Sequence, residues 1–88
     1  MTWRVEFAPS AIRGLERLPA KAASAIVEFV TVTLPTNPER MSKLLQGDLE
    51  GLRSARRGDY RVLFELIPDG DVLLVIRVAH RADAYRPS

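Results

Sequence analysis

The sequence has no cysteine and a single histidine, His80. That excludes a disulfide framework and thiolate metal sites, and leaves a structural zinc centre short of ligands. Nowhere does it approach the roughly 20 consecutive apolar residues of a membrane span, and its start carries no signal-peptide pattern. The expectation is a cytoplasmic protein with no membrane association, metal or other cofactor. Charge of one sign is also in short supply: 13 Lys and Arg against 11 Asp and Glu leave +2, a balance that names no partner.

What is present is a globular composition. Hydrophobic content of 47% with 27% charged residues, over 88 positions, fits one small domain, 1–88, with a modest core. The bases are unevenly placed. Residues 40–61 hold six cations (Arg40, Lys43, Arg53, Arg56, Arg57, Arg61) against Asp48, Glu50 and Asp59, a net +3. Every base except Lys21 and Lys43 is arginine, whose planar fork suits phosphate and carboxylate. Four of these arginines crowd the stretch RSARRGDYRVLF, which reads as two strands around Gly58-Asp59. Like charges close together on a sheet repel by about 0.2–1 kcal/mol per pair. Either water solvates them all or an anion belongs there.

The remaining elements follow from periodicity. Trp3 to Phe7 alternates apolar and charged residues, a short half-buried strand. Ser10 is a candidate N-cap for a helix whose Ala11, Leu15 and Leu18 share one side. Pro19 ends it and opens a second helix to about Thr33, with Ala23, Ile26, Val27 and Val30 as its apolar stripe. The β-branched run Val30–Thr33 leaves that helix end open. Glu39 to Gln46 reads as a short helical turn. Strands are expected at Leu52–Arg57, Tyr60–Ile67 and Val72–Ala79, with turn chemistry at Pro68–Asp71 and a tail at Ala82–Arg86. The order is β-α-α-β-β-β, an α+β fold. Its N-terminal strand and helical hairpin would pack on one face of a mostly antiparallel four-stranded sheet.

Alternation assigns the faces. Tyr60, Val62, Phe64 and Leu66 form one apolar set, and Val72, Leu74, Ile76 and Val78 another. Placing both under the helices leaves Arg61, Arg77 and Arg81 on the open face, beside Leu63, Ile67, Leu73 and Val75. A face both basic and apolar suits a nucleic acid or an amphipathic protein segment. This pairing needs a three-residue loop or a bulge near Gly70. In the other register His80, not Arg81, shares the face of Arg61.

The start WRVEFAPSAIRGLERLP, the segment LQGDLEGLRSARRGDYRVLF and the ending VLLVIRVAHRADAYR, in this order and spacing, resemble the RelE/ParE superfamily of toxins from bacterial type II toxin–antitoxin modules. The resemblance covers nearly the whole chain and is nearer to the RelE branch. It implies a sheet-and-helical-hairpin fold and metal-independent endoribonuclease activity on mRNA in the ribosomal A site. It also implies neutralisation by a RelB-like antitoxin, with operator DNA bound only through the antitoxin complex. By position, Arg61 in GDYR matches a phosphate-stabilising arginine, Arg81 the arginine after the last strand, and Tyr85 the C-terminal tyrosine. Where RNA-cleaving relatives carry lysines on the first hairpin strand, this sequence has Leu52 and Ser54. The ParE branch, which inhibits DNA gyrase without catalysis, and a weakened toxin kept as an antitoxin-binding co-repressor are the alternatives.

Metal-free RNA cleavage needs a base for the 2′-hydroxyl, charge stabilisation at phosphorus and an acid for the leaving 5′-oxygen. Arginine serves only the second, because it stays protonated. Arg61 and Arg81 fit that role, and Tyr85 is the candidate base. His80 is the candidate acid, being the residue type that changes charge near neutrality. Lys43, Arg53, Arg56, Arg57 and Arg77 are the candidate RNA-binding cations. For several of these a plainer reading stands beside the functional one. Arg57 fits a solvated turn, Arg53 a pair with Glu50 or Glu65, Arg77 a pair with Glu65, and His80 a capping role.

Overall fold

The computed structural model describes residues 3–85. Strand β1 (Arg4–Phe7) leads into helix α1 (Pro9–Glu16), and Pro19 caps helix α2 (Ala20–Glu28). The backbone of Ala8 is extended, and Pro9 occupies the first helical turn, where its missing N–H is harmless. Ser10 is therefore not the cap expected of it. It lies in the first turn, and its hydroxyl donates to the Ile76 carbonyl. The β-branched run after α2 stays helical but widens into a π-type turn, Phe29–Thr33, then tightens into a 3-10 turn, Leu34–Thr36.

The sheet has five strands where four were expected. The segment read as a helical turn contains a short strand, β2 (Ser42–Leu44), because pairing with the next strand outweighs weak local helix preference. With β3 (Arg53–Arg57), β4 (Tyr60–Ile67) and β5 (Val72–His80), the strand order is β1-β5-β4-β3-β2. Only the β1–β5 pair is parallel, and the fold is α+β.

The helices cover one face. Ala11, Ile26, Val30 and Leu34 pack with Ala55, Val62, Phe64, Leu73, Val75 and Val78 into one buried cluster. At about 25 cal/mol per Å² of apolar surface, this burial is the main stabilising term. Leu73 and Val75 thus belong to the core, contrary to the expectation that they face outward. The cause is a bulge in β5. Leu63 pairs with Arg77 and Phe64 with Val75, leaving Ile76 unpaired and reversing the side-chain alternation there. Beyond the bulge Val62 pairs with Val78, so the expected assignment holds for that half of the strand. The parity change sits mid-strand, not at the Pro68–Asp71 turn.

α1 lies close against β5. A Cβ built on Gly14 would come within 2.3 Å of the Val78 carbonyl oxygen, so only glycine permits this approach. The segment after β5 folds over the open face. The Arg81 N–H donates to the Asp59 carbonyl at 2.8 Å, Arg77 donates to the Asp83 carbonyl at 2.9 Å, and Ala84 is buried. Leu63, although on the open side, is only 1% exposed, so that face is far less apolar than expected. Arg86, the end of the expected tail, lies outside the described residues. Among the described residues no helix is long and apolar enough to cross a membrane.

Candidate nucleic-acid interface

On the open face, strand pairing brings cations from three strands together. Arg56 stands directly opposite Arg61, and Lys43 directly opposite Ser54. The C-terminal turn supplies Tyr85, whose hydroxyl lies 2.8 Å from Ser54 Oγ. These residues, with Arg40, line a groove of about 410 Å³. Arg61 is half-buried, and its Nη1 is buried without a hydrogen-bond partner among the described residues. An unmet charged donor costs well over 1 kcal/mol if nothing else satisfies it. The Arg56–Arg61 juxtaposition adds like-charge repulsion. Both costs disappear when an anion enters the groove, because guanidinium forks bind phosphate oxygens two at a time.

Residues 5–85 match the family described as the ParE toxin of the type II toxin–antitoxin system parDE. The chain belongs to this family. Within the RelE/ParE superfamily it stands on the RelE side. It is 46% identical over 84 residues to Toxin RelE of Mycobacterium tuberculosis, covering 96% of this chain and 87% of the relative. It is 41% identical over 86 residues to Toxin RelG of the same organism, covering 98% and 99%. Its fold is similar to that in the crystal structure of the toxin–antitoxin complex RelBE2 of M. tuberculosis. That match has a TM-score of 0.87 and 37% identity over 92% of this chain and 100% of the other. The archaeal RelE–RelB complex of Pyrococcus horikoshii OT3 matches with a TM-score of 0.69 and 29% identity, covering 96% and 100%. The protein is a type II toxin of the RelE family.

In this toxin the groove brings together Arg61, Arg56, Lys43 and Tyr85 from the residues expected at the site. Arg81 lies at the end of β5, two residues beyond the Ala79 that pairs with Arg61. Its side chain is exposed and does not line the groove.

Three expected residues lie elsewhere. Arg53 and Arg57 pair with Phe64 and Tyr60, on the helix-bearing side of the sheet. Arg53 is taken up structurally: its Nε donates to Ser42 Oγ at 2.7 Å and its Nη2 to the Glu39 carbonyl at 3.2 Å. His80 pairs with Tyr60, and their rings meet edge-on at 5.7 Å. Its Nδ1 accepts from the Ala82 N–H at 3.2 Å, which fits the capping reading. It lines a separate cleft of about 540 Å³ beside α1, with Arg13 and Arg17. Alternation puts His80 there: it is one residue from Ala79, which shares Arg61's face. Arg77 is on the open face but donates to the Asp83 carbonyl rather than pairing with Glu65.

Two contributors were not expected at the site, although Arg40 was counted in the basic cluster of residues 40–61. Ser54 stands out there only as a position without lysine, yet its hydroxyl meets Tyr85. Arg40 enters the groove only because β2 forms beside β3.

Proposed function

We propose that this toxin, a single domain spanning 1–88, is a metal-independent endoribonuclease that cuts mRNA in the ribosomal A site. The observation that carries this reading is the buried, unpartnered Nη1 of Arg61 in a groove it shares with Lys43, Arg56 and Tyr85. Arg61 and Arg56 hold the non-bridging oxygens of the scissile phosphate and stabilise the charge that builds up at phosphorus. Tyr85 acts in its phenolate form: its oxygen accepts a hydrogen bond from the Ser54 hydroxyl and takes the 2′-hydroxyl proton, becoming the neutral phenol. The 2′-oxygen then attacks phosphorus and the 5′-oxygen leaves. Arg81 meets the flanking backbone. His80 is too far round the sheet to act as the acid.

With so few groups at the site, the ribosome must supply substrate orientation, and free RNA is a poor substrate. Between encounters an antitoxin of RelB type neutralises the toxin, with carboxylates meeting the arginines of the open face. Similarity to RelBE2 and to the archaeal RelE–RelB complex supports that partner. Operator DNA is bound only through the complex, and mRNA and ribosomes place the action in the cytoplasm.

The test is primer extension on a reporter mRNA in a translation extract, with and without purified protein. Cuts inside the reading frame that vanish without ribosomes support the proposal. An intact message refutes it, and gyrase supercoiling is then the assay to run.

A further inference from the structure

Proton transfer sets a requirement that the groove's arginines do not meet. Guanidinium groups hold phosphate but stay protonated throughout. Among the described residues lining the groove there is no carboxylate and no histidine, and the only amine is Lys43. With His80 on the other side of the sheet, the leaving 5′-oxygen has no donor in the assignment above.

Strand pairing places the backbone of Lys43 for that role, with its exposed side chain at the groove. It is the middle residue of β2, and its Cα pairs with Ser54. Directly paired residues on one face hold their Cβ atoms about 5 Å apart. Lys43 therefore stands beside the hydroxyl that holds Tyr85. The adjoining Ser42 anchors the strand: its Oγ donates to the Pro38 carbonyl at 2.6 Å and accepts from Arg53 Nε at 2.7 Å. Among the described residues no carboxylate forms an ion pair with Lys43. Lysine on an edge strand commonly guards against sheet-to-sheet pairing. This one lines the groove with Arg56 and Arg61, adding a cation where two already repel.

We propose that Lys43 is the general acid that protonates the departing 5′-oxygen. The assignment rests on the endoribonuclease reading above. The 2′-oxygen, its proton passed to the Tyr85 phenolate, bonds to phosphorus as the P–O5′ bond breaks. The Lys43 ammonium gives its proton to O5′. The products are a 2′,3′-cyclic phosphate, a 5′-hydroxyl and a neutral amine. Water then reprotonates the amine and takes the proton from Tyr85. Unlike a histidine, an ammonium is already in the donor form at neutral pH.

The test uses assembled ribosome complexes on two synthetic mRNAs, one with the natural 5′-oxygen and one with a bridging 5′-sulfur at the scissile phosphate. Sulfur leaves as a thiolate and needs no proton. Wild type is expected to cut both. Lys43→Ala, and Lys43→Arg, which keeps length and charge, are expected to slow the oxygen substrate about 10²–10⁴-fold. The same variants should cut the sulfur substrate within about tenfold of wild type. Arg61→Met should lose both substrates alike, as fits a charge-stabilising role. Equal loss on both substrates by the Lys43 variants, or no loss on either, overturns the proposal. Failure of wild type on both overturns the nuclease reading itself.

Discussion

Replacing Gly14 with alanine sets two effects of known size against each other. Gly14 is inside α1, where glycine is less favourable than alanine by about 1 kcal/mol. Propensity alone therefore predicts that Gly14→Ala stabilises the protein. The added Cβ, however, would meet the Val78 carbonyl oxygen at 2.3 Å, with the Val78 carbonyl carbon at 3.3 Å and its nitrogen at 3.5 Å. All three are backbone atoms of the β4–β5 ladder, so no rotamer change relieves the clash. α1 must back away until the contact reaches at least 3.0 Å, loosening Ala11 in the core. Overpacking costs about 1–3 kcal/mol and sometimes more, and a clash with backbone that no rotamer relieves belongs in the upper part of that range, about 2–3 kcal/mol. Net of the propensity gain, the variant should lose about 1–2 kcal/mol. In a domain of this size each kcal/mol shifts Tm by roughly 4–8 °C, so Tm should fall by about 4–16 °C. Thermal melts by circular dichroism, with the exposed Ser24→Ala as control, measure this directly. An unchanged or higher Tm for Gly14→Ala would refute the close approach of α1 to β5.

Other outcomes follow from the groove. Arg61→Met keeps the aliphatic bulk and removes the unmatched charge, so Tm should hold or rise while cleavage falls about 10²–10³-fold; melts and single-turnover cleavage check both. Tyr85→Phe removes the bond to Ser54 on a side chain 48% exposed. It should cost no more than about 1 kcal/mol in urea unfolding yet slow cleavage about 10²-fold or more, and retained cleavage would remove Tyr85 as the base. Arg56→Ala should lower the slope of log affinity for single-stranded RNA against log salt by about 0.7, whereas Arg57→Ala, on the other side of the sheet, should leave it unchanged. Fluorescence anisotropy titrations at several salt concentrations separate the two.

Three hairpin strands, two helices divided at Pro19 and the superfamily itself were legible along the chain, because each rests on local signals. Pro19 has no N–H to continue a helix, Gly58-Asp59 is turn chemistry, and the Tyr60–Ile67 alternation spans the whole of β4. The concentration of arginine between residues 40 and 61 was equally plain, and so was its call for an anion. Strand β2 was not legible, since three residues, Ser42–Leu44, acquire strand character only from a partner. Nor was the bulge at Ile76, an unpaired residue that nothing in its own neighbourhood marks and that sends Leu73 and Val75 inward.

Composition and order determined which chemistry is possible: arginine for phosphate, one tyrosine near the end, one histidine, no thiols. Tertiary structure alone decided which of these meet. Register set Arg56 against Arg61 and Lys43 against Ser54, and sent Arg53, Arg57 and His80 to the helix side. The physical reason is that a side chain's face depends on the parity of its pairing. A single unpaired residue or an added edge strand changes that parity without altering any local preference.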